Sequence, residues 1–123
     1  MLKVIYVGFG GFIGSILRYS LYFLTSNILG YTTPVATLFV NIIGCFLIGC
    51  AYQLFSAHLV ASENLRLFIM IGLLGGFTTF SAFSYEALDL LLSKKTFFSF
   101  LYILFSVVSC ITAVYIGFNI NKL

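Results

Sequence analysis

Four long apolar runs, separated by short polar breaks, account for almost the whole chain. They fall near Val4–Leu24, Pro34–Gln53, Leu65–Leu92 and Phe97–Asn119. A helix that crosses a bilayer needs about 20 mainly apolar residues at a rise of about 1.5 Å each, so each run predicts one transmembrane helix. The first break contains Ser26, Asn27, Gly30 and three threonines and ends at the only proline, Pro34, which suits the first turn of a helix. The second contains His58, Glu63, Asn64 and Arg66; the third is the tight polar turn Ser93, Lys94, Lys95, Thr96. Nothing remains for a soluble domain, so residues 1–123 read as a single four-helix transmembrane domain of an all-α membrane protein. Lys3 ahead of an apolar stretch imitates a signal peptide, but the stretch is long and every later run is equally membrane-like, so it reads as a retained span.

The third run is too long and too irregular for one straight helix. Its middle holds the adjacent glycines Gly75 and Gly76 and the adjacent threonines Thr78 and Thr79. These weaken a helix through backbone entropy and stiff side chains. Unwound backbone is tolerated in a bilayer only where protein or water satisfies it. A third helix broken near its middle would therefore open toward the protein interior, where transporters place ion sites. The alternative is an unbroken helix whose glycines pack closely against a neighbour.

Composition agrees with a lipid environment. The chain is 62% hydrophobic and 7% charged, against about 25% charged in soluble domains. A chain this short has too little interior to hide so much apolar surface. The net charge of +3 is scattered, with no basic and aromatic cluster of the kind that binds nucleic acid. Cys45, Cys50 and Cys110 lie inside apolar runs without metal-binding spacing and read as small packing residues. No nucleophile–base pair is evident and the sole histidine, His58, falls in a loop, so an enzyme is not expected. Four spans put both termini and the second break on one side, with Lys3, Arg66 and Lys122, and leave Lys94 and Lys95 on the other. Positive loop residues normally stay cytoplasmic. So slight a bias predicts insertion both ways up, and pairing of two opposed copies about a two-fold axis in the membrane plane.

Polar residues inside a membrane need a reason. In the first run Gly10, Gly11 and Gly14 open a groove, and Arg18 either snorkels to the interface or draws anions toward a vestibule. In the second, Thr37 and Asn41 share a helical face; the asparagine is interhelical glue or an N–H donor to an anion. In the third, Phe80 and Phe83 alternate with Ser81 and Ser84 just past the irregular stretch. These phenylalanines are ordinary lipid-facing residues or, through their electropositive ring edges, partners for a small dehydrated anion. Glu86 follows one turn later and, like Arg18 and Thr37, either belongs to an anion vestibule or is structural, while Asp89 lies near the lysine turn. Tyr102, Ser106 and Ser109 form a hydroxyl-bearing stripe in the fourth run that serves packing or a pore wall.

Three segments together resemble the Fluc (CrcB) fluoride channel family. Gly10 to Tyr19, reading GGFIGSILRY, looks like its first-helix motif; Thr37 to Gly44, TLFVNIIG, is similar to the second; and Gly72 to Glu86, GLLGGFTTFSAFSYE, resembles the third-helix signature. The segments come in the family's order and the resemblance covers essentially the whole chain. It implies dual-topology antiparallel dimers, of one chain or of two opposed paralogues, with two narrow fluoride pores. It implies that Phe80 and Phe83 line the fluoride path with ring edges, that Asn41 donates to fluoride, and, less firmly, that Ser81 and Ser84 belong to the same route. Arg18 matches the first-helix arginine. A structural sodium ion at the dimer centre would be held by the backbone carbonyls of Gly75 and Thr78, two from each subunit, a donor set that suits a hard cation. The family usually reads Phe-Ser-Thr-Phe in the third helix; Ala82 replaces the threonine here, so one hydroxyl of the polar route is missing.

The implied function is passive export of cytoplasmic fluoride across the cell membrane. Hydrogen fluoride enters neutral, dissociates inside, and the inside-negative potential drives the trapped anion out. Two other readings compete. A small multidrug-type antiporter also has four helices, but it uses a first-helix glutamate, and this chain has no acidic residue before Glu63. A structural subunit of a larger membrane complex would use glycine grooves and a buried asparagine equally well.

Overall fold

The computed structural model describes residues 1–57 and 62–120; His58 and Lys122, weighed above, lie outside them. The described chain is all helical. Helix α1, Leu2–Phe23, runs on through a π-helical turn at Leu24–Ile28. Helix α2 is Thr33–Ser56, with Pro34 in its first turn, where the missing N–H has no helical partner to lose. Helix α3 covers residues 63–77 and is π-helical over Leu67–Leu74. The Ser62 hydroxyl caps its start by accepting from the Leu65 N–H at 3.3 Å. Helix α4, Phe80–Leu92, completes the third span, and α5, Thr96–Asn119, follows the lysine turn. That turn closes with Lys94 at φ 58° and with Lys95 N–H donating to Leu90 C=O at 2.9 Å.

The spans Leu2–Ile28, Thr33–Ser56, Glu63–Leu92 and Thr96–Asn119 are each long and apolar enough to cross a bilayer. At most 33% of any span's most apolar stretch is buried within the chain. The remaining apolar surface therefore needs lipid or another subunit against it. Lys3 and Glu63 form an exposed ion pair at 2.8 Å, which places the chain's start and the entry to the third span on the same side. An exposed pair of this kind adds little stability, roughly 0–1 kcal/mol.

Two glycine seams hold the four spans together. In the first, α1 packs on α3. A Cβ added at Gly14 would lie 2.8 Å from the Phe77 nitrogen, and one at Gly76 would lie 2.9 Å from the Gly11 Cα. Backbone meets backbone here, the close approach that glycine permits between membrane helices. In the second seam, α2 packs on α5. A Cβ at Gly49 would lie 2.9 Å from the Phe118 nitrogen, and one at Gly117 would lie 3.1 Å from the Cys50 nitrogen. Helices α2 and α5 run the same way. Thr37 and Tyr102 meet at one end through Glu86, and Gly49 meets Val114 at the other.

Candidate functional site

Between α3 and α4 two residues leave the helical conformation: Thr78 has ψ 158°, and Thr79 has φ −149° and ψ 115°. The Asn41 side chain holds them there. Its Oδ1 accepts from the Thr79 N–H at 2.8 Å, and its Nδ2 donates to the Thr79 carbonyl at 3.0 Å. The Thr79 hydroxyl caps α4 by accepting from the Ala82 N–H at 3.2 Å. In a continuous helix the Thr79 N–H would donate to Gly75 C=O, and the Ala82 N–H to Thr78 C=O. Both donors are diverted to side chains, so the Gly75 and Thr78 carbonyls lose their helical partners and can serve a cation. Gly75 is exposed on the surface of the single chain, where a second subunit could reach it.

Beside this junction lies a groove of about 310 Å³ whose walls include Asn41, Thr78, Phe80, Phe83 and Ser106. Three features suit a small anion. An asparagine amide has two N–H donors, and Thr79 takes one, leaving the second for the groove. The Phe83 ring is 8% exposed and is fixed between Phe80 and Tyr102, with centroids 5.3 and 5.4 Å away and both contacts tilted. The Ser106 hydroxyl is buried, yet it has no hydrogen-bond partner. A polar atom in that state costs about 1–3 kcal/mol, which a guest accepting its proton would recover. Phe80, by contrast, is 77% exposed at the groove edge.

Of the two readings of Glu86, vestibule or structural, its surroundings in the single chain match the structural one. Glu86 is 8% exposed and both its oxygens are engaged. Oε1 accepts from the Thr37 hydroxyl at 2.6 Å, and Oε2 accepts from the Tyr102 hydroxyl at 2.7 Å. Thr37, fully buried, also contacts the Tyr22 hydroxyl at 2.7 Å. Thr37 has one proton, and a carboxylate accepts, so Thr37 donates to Glu86 and receives from Tyr22. The chain Tyr22, Thr37, Glu86, Tyr102 draws on α1, α2, α4 and α5, one residue from each. Arg18, half-buried one turn before Tyr22, has no ion-pair partner among the described residues.

The remaining predicted residues lie apart from the groove. Ser84 is exposed and donates to its own helix at Phe80 C=O, 2.9 Å away; Ser81 is exposed and contacts the Thr79 hydroxyl at 3.1 Å. The stripe in the fourth span divides. Tyr102 binds Glu86 and Ser106 lines the groove, but Ser109 donates back to Phe105 C=O at 2.6 Å. Residues four apart share the inner face, so Cys110 rather than Ser109 continues the row after Ser106. On α2 the matching row is Thr37, Asn41, Cys45, and both cysteines line the groove. Sequence reasoning missed Tyr22 and both thiols; the four-residue step along each helix was the available signal.

Residues 5–118 match the model of the family described as CrcB-like protein, Camphor Resistance (CrcB). The chain is 41% identical to the fluoride-specific ion channel FluC of Ruminiclostridium cellulolyticum, over 99% of this chain and 94% of that protein. It is 45% identical to the protein of the same name from Elusimicrobium minutum, over 95% of this chain and 91% of that one. It is 42% identical to that of Agrobacterium fabrum, over 99% and 98%. The matching residues run through all four spans and include the whole groove, and the chain belongs to the CrcB-like family.

Proposed function

We propose that this chain forms a fluoride-selective passive channel in the cell membrane and exports fluoride from the cytoplasm. The observation that carries the reading is the groove beside Thr78 and Thr79. Its walls bring together an asparagine with an N–H to spare, a fixed phenylalanine ring and a serine whose buried hydroxyl is unpaired. Donors and ring edges arranged in this way replace the water of an anion and repel cations. A larger halide with the same charge fits a narrow path less well. The relatives are named as ion channels, and the chain is a multi-pass transport protein rather than an enzyme.

The finer assembly belongs to the same proposal. The groove is open along the side of a single chain, with Phe80 exposed at its edge, so a second subunit would close it. Antiparallel pairing of two copies, or of this chain with an opposed paralogue, accounts for the weak charge bias and covers Phe80. The third span then acts as a broken helix whose Gly75 and Thr78 carbonyls, freed by Asn41 and by the Thr79 hydroxyl, face their counterparts across the two-fold axis. Four such carbonyls suit a sodium ion, which would fix the two subunits together.

The test is fluoride efflux from liposomes carrying the purified protein, with a potassium ionophore to relieve the charge. Rapid release without a proton gradient supports a channel. Release only in exchange for an organic cation, or none from correctly assembled protein, overturns it.

A further inference from the structure

Cys45 and Cys110 extend two rows already in use. Cys45 lies one turn beyond Asn41 on α2, and Cys110 lies one turn beyond Ser106 on α5. Both are unbridged, half-buried and part of the groove wall, and they lie one turn before Gly49 and Val114, where α2 and α5 touch, so the two thiols are neighbours across that seam. Ser106 lines the same space, with its hydroxyl buried and unpartnered. The third cysteine, Cys50, does not line the groove.

We propose that Cys45 and Cys110 form a two-thiol site for a soft, two-coordinate metal ion within the groove wall. Paired thiolates favour soft cations of the copper(I), silver(I) and mercury(II) type over the hard ions that oxygen ligands select. Two sulfurs from neighbouring helices suffice for linear coordination, with no third ligand. Binding of mercuric chloride balances simply: two S–H groups release their protons, two mercury–sulfur bonds replace two mercury–chloride bonds, and no oxidation state changes. The neutral chloride complex also reaches a groove that repels free cations. A metal held there occupies the space beside Asn41 and Ser106 and blocks the passing anion. This last consequence rests on the fluoride-channel reading; metal binding itself does not.

The probe is mercuric chloride, added to purified full-length protein in detergent and, separately, to fluoride-loaded vesicles. One equivalent per chain is expected to remove two of the three free thiols and to produce the near-ultraviolet absorption of a mercury dithiolate. Fluoride efflux falls at least tenfold and recovers on adding excess dithiothreitol. Cys50→Ala behaves like the unaltered chain in the metal assay, whereas Cys45→Ser and Cys110→Ser each lose the dithiolate band and bind mercury at least tenfold more weakly. Independent reaction of all three thiols, or no dithiolate band in the unaltered protein, overturns the site without recourse to any variant. Stoichiometric dithiolate formation with undiminished efflux overturns its placement in the conducting path. Vesicles that never release fluoride overturn the channel reading instead, and the detergent assay still decides the thiol pair.

Discussion

Replacing Ser106 with alanine separates a conducting hydroxyl from a merely structural one. In the structure this hydroxyl is buried and unpaired, so it costs the resting protein about 1–3 kcal/mol. Alanine removes that cost, leaves only a small void, and is the stronger helix former by roughly half a kcal/mol. Thermal stability in detergent should hold or rise, by about 1 kcal/mol. Conduction should move the other way. A hydrogen bond to a charged group contributes about 1.5–3 kcal/mol, and full transfer of that loss to the barrier slows passage roughly ten- to hundredfold. The assay pairs a detergent melting curve with fluoride efflux from vesicles. Ser109→Ala is the control, since its hydroxyl donates to Phe105 C=O on its own helix, and neither readout should change greatly. Unchanged efflux from Ser106→Ala, or a clear loss of stability, refutes the assignment of an anion-facing donor.

Other perturbations test other parts of the account. Phe83→Ile removes the ring fixed between Phe80 and Tyr102 and should reduce fluoride efflux at least tenfold while size-exclusion chromatography shows the same assembly; Phe80→Ile should do likewise if a second subunit buries that ring. Tyr102→Phe leaves Glu86 Oε2 without its donor and should lower the melting temperature by an amount equivalent to about 1–3 kcal/mol. Gly14→Val drives a side chain into the α3 backbone near Leu73 and Phe77 and should abolish recovery of folded protein, as read by chromatography. If the proposed sodium site joins two subunits, exchange of sodium for a large organic cation should slow efflux and weaken the proposed dimer; indifference to the exchange contradicts that site.

The spans were legible because lipid demands long apolar helices and little else satisfies that composition. The irregular stretch around Gly75, Gly76, Thr78 and Thr79 is legible too, as backbone that must be satisfied inside a bilayer; that Asn41 is the side chain satisfying it is not, because that depends on how α2 meets the third span. The register between helices was not legible. Glu86 sits far from Thr37 in sequence, and its burial depends on how α2 and α4 cross. The same limit explains Ser109. A stripe read at steps of four and then three fits an isolated helix, but helices that mesh along rows of residues four apart bring Cys110 inward instead. Single-chain exposure also bears on Phe80, Ser81 and Ser84, whose surroundings depend on a neighbour that one sequence does not specify.

Bilayer recording with fluoride on one side and chloride on the other addresses the central claim most directly: that the groove between α2, α4 and α5 passes fluoride and refuses larger anions. The account predicts a steady current whose reversal potential lies close to the fluoride equilibrium value. A reversal potential that follows chloride, or an assembled protein that carries no current, contradicts it.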